Sequence, residues 1–271
     1  MKQDTKSREY KVMLKSELFS GLEARLLEQA NDFWSEFKET IRDIVLDTDG
    51  TLNKIEPPRL VRFYDSASHR LQQNDYIFRE RIDLNSDQRE ITLKFRHPDR
   101  YISQDRDMAA ANFETGKTKF EEDIKLPFVT LYSFSTKQPI SDSKLLNKMK
   151  DPGELYPDLK KRLKSYQEDE LINIVRRFTA KEVVITGANF KIGENPKVEA
   201  ECALIVWYKE SGERDKPVVV EFSFKYERKG ESFDGETAQK AYDVFGRLKD
   251  QLTGWVDPEG LTKTAYVYTK A

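Results

Sequence analysis

Cysteine and histidine are almost absent from this 271-residue chain, which holds one cysteine, Cys202, and two histidines, His69 and His97. A single thiol excludes an intramolecular disulfide framework and suits a reducing compartment. Zinc centres draw on several Cys and His ligands, so this composition argues against one; any metal here is a hard cation held by carboxylates. Long apolar runs are missing as well. No stretch reaches the roughly 18 apolar residues of a membrane-spanning helix, and the opening MKQDTKSREYK carries no signal-like apolar core. Nor is one charge in excess: 46 basic residues face 48 acidic ones, for a net charge of −2. That balance argues against a generally basic nucleic-acid binder. The expectation is a soluble cytoplasmic protein with no membrane partner.

What is present is a mixture of charge and aromatic rings. Charged residues make up 35% of the chain, yet 16 Phe, 12 Tyr and 3 Trp supply a core that a disordered chain would not have. Leu18, Phe19, Leu22, Leu26, Leu27, Ala30, Phe33, Trp34, Phe37, Ile41, Ile44 and Val45 recur at three- and four-residue spacing, which predicts a helix. A second helix is predicted over 236–253, stopped by Gly254. Strand-like segments fall at 7–14, 59–66, 75–84, 89–97, 117–126, 175–186, 197–208 and 217–227, and the tail LTKTAYVYTK reads as a returning strand. Residues 141–172, with Pro152, Gly153 and Pro157, read as helical or irregular. Strands and helices do not alternate as βαβ, so the fold class is antiparallel α+β.

The strands share one property. In DYIFRERIDL, Arg79 and Arg81 lie on the same face, with Tyr76, Phe78 and Ile82 on the other. In ITLKFR, Thr92, Lys94 and Arg96 oppose Leu93 and Phe95; in KTKFEEDIK, Lys117, Lys119, Glu121, Asp123 and Lys125 oppose Phe120 and Ile124. EFSFKYE sets Glu221, Ser223 and Lys225 against Phe222 and Phe224, and in VRRFTAK the residues Arg177, Thr179 and Lys181 share a register. Each strand thus has an apolar face and a face charged with both signs. An open sheet wet on one side gives this pattern, and so does a closed barrel with an apolar outside and a polar lumen.

The order of the segments adds information. SREYK, then FYDSASHRLQQNDYIFRER, ITLKFR, the acidic FEED, VRRF and VEFSFK together resemble the CYTH-like superfamily, the triphosphate tunnel metalloenzymes, over roughly 7–125 and 175–268. The resemblance implies a single domain over 1–271, an eight-stranded antiparallel tunnel with helices packed outside and an insertion at about 141–172. It implies that Lys11, Arg79, Arg81, Lys94, Arg96, Arg177, Lys181, Lys225 and Lys263 face a polyphosphate, with Lys11 and Arg177 as catalytic groups. Glu9, Glu221, Glu121 and Asp123 are implied as ligands of Mg²⁺ or Mn²⁺. The implied activity is metal-dependent hydrolysis of inorganic, nucleoside or thiamine triphosphate, with a non-catalytic polyphosphate- or nucleotide-binding tunnel and a nucleotide cyclase as alternatives. The physical logic is that closely spaced anionic oxygens bind strongly in a cation-lined, weakly screened channel.

Two positions depart from the pattern. The first strand, expected as E-x-E-x-K, offers Ser7, Glu9 and Lys11; the late E-x-E pair is Glu221 and Ser223. Each pair has lost one carboxylate, and Lys225 adds positive charge to the same face. The anion-binding half of the signature is therefore better preserved than the metal-binding half.

Overall fold

The computed structural model describes residues 4–271 apart from Leu22, Arg214 and Glu231. Ten strands form in chain order: β1 (Ser7–Leu14), β2 (Asp47–Ile55), β3 (Arg59–Ser66), β4 (Tyr76–Asp83), β5 (Arg89–His97), β6 (Lys117–Lys125), β7 (Val129–Ile140), β8 (Ile172–Glu194), β9 (Lys197–Lys209) and β10 (Pro217–Glu227). Nine of them close a barrel in the order β8-β3-β4-β5-β7-β6-β1-β10-β9 and back to β8, while β2 hangs on the outer half of β8. The expected eight antiparallel strands are therefore nine, and the barrel is mixed. It closes because β1 slots between β10 and β6, antiparallel to the first and parallel to the second.

Two strands are absent from the sequence reading for identifiable reasons. On β7, the outward face runs Tyr132, Phe134, Thr136, Gln138, so polar residues interrupt the apolar alternation. Those polar groups are nevertheless satisfied: Thr118 and Thr136 share a 2.8 Å hydrogen bond, and Gln138 donates to the Leu155 carbonyl at 2.9 Å. β2 contains Asp49-Gly50, which reads as a turn; it buries only Leu52 and survives by pairing with β8.

Apolar side chains lie outside the barrel, under helices. α1 (Glu23–Ile41) covers one flank, burying Leu26, Phe33, Trp34, Phe37 and Ile41, each contributing about 2 kcal/mol. Leu22, which the helical stripe also includes, lies outside the described residues. Phe33 and Phe37 meet Phe222 of β10 edge-on at 4.8 and 5.1 Å. α6 (Gly235–Gln251) completes this layer, capped by Asp234, whose carboxylate accepts from the Thr237 amide. A second apolar cluster lies over β4, β5, β6 and β7. It packs them against the segment holding the short helices α4 (Lys150–Leu155) and α5 (Leu159–Arg162). The smaller turns α2 (Arg70–Gln73) and α3 (Arg100–Gln104) sit at strand ends.

The C-terminal tail is a helix, α7 (Lys263–Thr269), where a strand was expected. Thr262 caps it by accepting from the Ala265 amide. The chain leading to it crosses one end of the barrel, with Asp257 donating its amide to the Met13 carbonyl. Beneath α7, Val267 and Tyr268 meet Met13, Val61, Phe63, Phe178 and Trp207 in a third apolar cluster. Strand parity turns these barrel residues inward, so that end of the lumen is plugged by apolar side chains.

Candidate functional site

Strand parity decides what reaches the lumen. On β5, Ile91, Leu93 and Phe95 are buried in the outer layer, so Thr92, Lys94 and Arg96 point inward. The same rule turns Glu9 and Lys11 of β1, Arg79 and Arg81 of β4, Glu121 and Asp123 of β6, and Glu221 and Lys225 of β10 into the barrel. Together with Lys263 at the start of α7 they line one cavity of about 560 Å³. Pockets for small organic ligands run from roughly 300 to 1,000 Å³. Among the described residues, twelve lysine and arginine side chains line this cavity against five carboxylates.

Asp123 is the hub. It receives Lys11 Nζ at 2.8 Å, Lys94 Nζ at 3.2 Å and Arg96 Nη2 at 2.9 Å, and the Ser133 hydroxyl donates to it as well. Burial alone would raise its pKa, but Lys11, Lys94 and Arg96 outweigh burial and hold the carboxyl well below the usual range. Lys11 also pairs with Glu9 at 2.9 Å. Glu221 pairs with Lys263 at 2.8 Å. Glu121 accepts from the Ser7 hydroxyl at 2.9 Å, and Lys119 stands 3.9 Å away. Its neighbour Glu122 points outward and pairs with Arg8 at 2.8 Å.

The basic side is less well matched. Arg79 has a buried Nε with no hydrogen-bond partner and no ion pair among the described residues. Desolvation and the adjacent Arg81 push its pKa down to about 9. Two residues along a strand span roughly 7 Å, and like charges at that distance cost about 2 kcal/mol at an effective dielectric of 20. Lys94 shows the same stress: desolvation, then Arg96 and Lys11, push it down to about 8 despite Asp123. Lys225 lines the cavity with no ion pair among the described residues. Such a lumen favours a multivalent anion.

Arg177 and Lys181 do not reach this cavity; both are exposed on the outside of β8. Arg176 and Arg177 take left-handed conformations, φ 51° and 55°. Arg62 still pairs with Thr179 of β8, but Tyr64 pairs with Ile174, so three extra residues bulge opposite Phe63. An odd insertion reverses the faces. Phe178, Ala180 and Glu182 therefore share the inward register, and Arg177 sits on the rim of a separate outer groove with Asp65 and His69.

The residue that takes the inward position is Glu182. Fully buried, it accepts from Arg59 Nε at 2.5 Å and Trp207 Nε1 at 2.8 Å, and pairs with Arg81 at 3.3 Å. Burial opposes its ionisation, but Arg81, Arg59 and Lys263 hold its pKa far below the usual value. Neither Glu182 nor Arg59 is evident as a site residue from the sequence, nor is Lys137, which also lines the cavity; Lys117, Lys119 and Lys125 line it too, as their place on the charged face of KTKFEEDIK allows, although they are not among the expected phosphate-binding residues. The available signal was Glu182 itself, a charge in phase with Phe178 and Ala180. The Tyr64-Asp65-Ser66 motif proves architectural: Asp65 accepts from the amides of Ser66, Leu71 and Gln72 and from Tyr268 Oη, tying β3, α2 and α7 together.

The carboxylates assigned to Mg²⁺ or Mn²⁺ do not fit such an ion as arranged. No three Asp, Glu, His or Cys side chains converge to hold a metal among the described residues. Glu9, Asp123 and Glu221 each already bind a lysine.

Among the described residues, no helix is long and apolar enough to cross a membrane. No protein-family model matches the chain, and no curated protein does. Solved structures similar to it include a Hippeastrum protein described as an adenylyl cyclase candidate with a dominant triphosphatase activity. That pair has a TM-score of 0.44 at 12% identity over 97% of this chain and 95% of the other. An adenylate cyclase candidate from Vibrio parahaemolyticus gives a TM-score of 0.37 at 10% identity, covering 99% of this chain and all (100%) of that one. One from Bacillus halodurans gives 0.34 at 12% over 91% and 92%. The chain has the closed barrel with a charged lumen that its resemblance to the CYTH-like superfamily implies.

Proposed function

We propose that this chain is a divergent CYTH-like protein whose barrel binds the triphosphate moiety of inorganic triphosphate or a nucleotide. The observation that carries the reading is Arg79, a half-buried guanidinium whose Nε has no partner among the described residues, beside a second arginine in a cavity whose cations outnumber its carboxylates. A buried donor without a partner costs about 1–3 kcal/mol, more when charged, and a phosphate oxygen removes that cost. The cavity volume also accommodates an organic group beyond the phosphates. The metal-dependent phosphohydrolase implied by the motifs, and the cyclase with it, stand second because their carboxylates are held by lysines.

Titration calorimetry with sodium tripolyphosphate and with ATP tests the reading. Wild type binds, and Arg79→Ala/Arg81→Ala loses at least about a hundredfold in affinity, the loss expected for two charge-assisted contacts. Absence of heat with both ligands, or an unchanged double variant, sinks it. Phosphate release in a malachite-green assay above a Glu9→Ala control would restore hydrolysis to first place.

A further inference from the structure

We propose that the tunnel takes its polyanion free of divalent metal, with Lys11 and Lys263 holding the places a metal ion would need. The proposal rests on the triphosphate-binding reading and names the ionic form of the ligand. Lys11 bridges Glu9 and Asp123 at 2.9 and 2.8 Å, the geometry of a cation shared by two carboxylates. Lys263 occupies Glu221 at 2.8 Å. The other oxygen of Asp123 is engaged by Lys94 and Arg96. A Mg²⁺ ion demands near-octahedral oxygen donors and binds through one or two carboxylates plus phosphates. Here it would first have to displace an ammonium from a half-buried pair.

Charge balance points the same way. A metal carried in on the triphosphate brings two positive charges into a lumen that already has a cationic surplus. It also withdraws phosphate oxygens from Arg79, whose donor needs them. The bare polyanion makes more charge-assisted hydrogen bonds and meets less repulsion. Magnesium in solution therefore competes with the protein for the ligand and weakens apparent binding by mass action.

The test is titration of the full chain with sodium tripolyphosphate in excess EDTA and again in millimolar magnesium at matched ionic strength. Binding is expected to be about tenfold or more tighter in EDTA, as competition by mass action requires. Equal or tighter binding in magnesium overturns the metal-free assignment and leaves triphosphate binding standing; no binding in either buffer overturns both. Manganese alone, followed by electron paramagnetic resonance, gives a second readout. The wild-type chain leaves Mn²⁺ free, whereas Lys11→Ala, which releases Glu9 and one oxygen of Asp123, retains it. Mn²⁺ bound by wild type, or no gain in the variant, overturns the placement of Lys11.

Discussion

Lys94 is a side chain through which solution pH reaches the lumen. Its ammonium is desolvated and faces Arg96 and Lys11, with a share of Asp123 and the charge of Glu121 in compensation, and its pKa is pushed down to about 8. Lys11 differs: burial opposes its charge, but Asp123, Glu9 and Glu221 raise its pKa, so it stays protonated. A polyanion is attracted by the charged form of Lys94 and not by the neutral amine, so its affinity falls as pH rises through about 8. Calorimetry across that range with wild type and Lys94→Gln isolates the effect, because titration of the phosphates is common to both. The variant should bind about tenfold more weakly near neutrality, the value of one charge-assisted contact, and should lack the extra step. An identical pH profile in the two proteins would remove Lys94 from the binding surface. The charged face on which Lys94 lies is legible in TLKFR, since it follows from a two-residue period. The depressed pKa of Lys94 is not, because that depends on Asp123 and Lys11 from two other strands.

Elements were legible where one face is uniformly apolar. β5 and β10, with Leu93 and Phe95 or Phe222 and Phe224 outward, have the bounds their alternation predicts. The segment of α7 reads as a strand because Tyr266, Val267 and Tyr268 favour strands by propensity, while the barrel end they cap selects a helix. The β8 bulge was hidden for a different reason: nothing in Val-Arg-Arg-Phe marks left-handed backbone, which glycine or asparagine would have marked. That one feature moved Arg177 and Lys181 out of the lumen and brought Glu182 in. It also makes a prediction. Arg177 is exposed at φ 55° with no partner among the described residues, so Arg177→Gly relieves backbone strain and stabilises the fold by about 1 kcal/mol. Urea unfolding reads the gain, and tripolyphosphate affinity should not change. A variant that loses affinity would return Arg177 to the role first expected of it.

At the scale of the whole molecule, the barrel is built with its apolar layer outside and its charge within. Closure could not be read from alternation, because an open wet sheet and a closed lumen show the same pattern; it required β1 to join β6 to β10. Once closed, the sheet concentrates cations. The chain carries a net charge of −2, yet among the described residues twelve basic and five acidic side chains line its cavity, a surplus that the inward Glu182 reduces without cancelling, so the remaining surface is the more acidic part. Repulsion inside the free barrel works against folding, and mobile ions screen it with a Debye length of about 10 Å at 0.1 M salt. Raising sodium chloride should therefore raise the melting temperature of the free protein. Tripolyphosphate should raise it further by binding only the native state, and its increment should shrink as salt rises, because the same ions screen the attraction. Differential scanning calorimetry over a salt series, with and without the ligand, measures both trends. A free protein indifferent to salt, together with a ligand shift that salt does not diminish, would mean that the lumen cations are already balanced and that the ligand is held by something other than their charge.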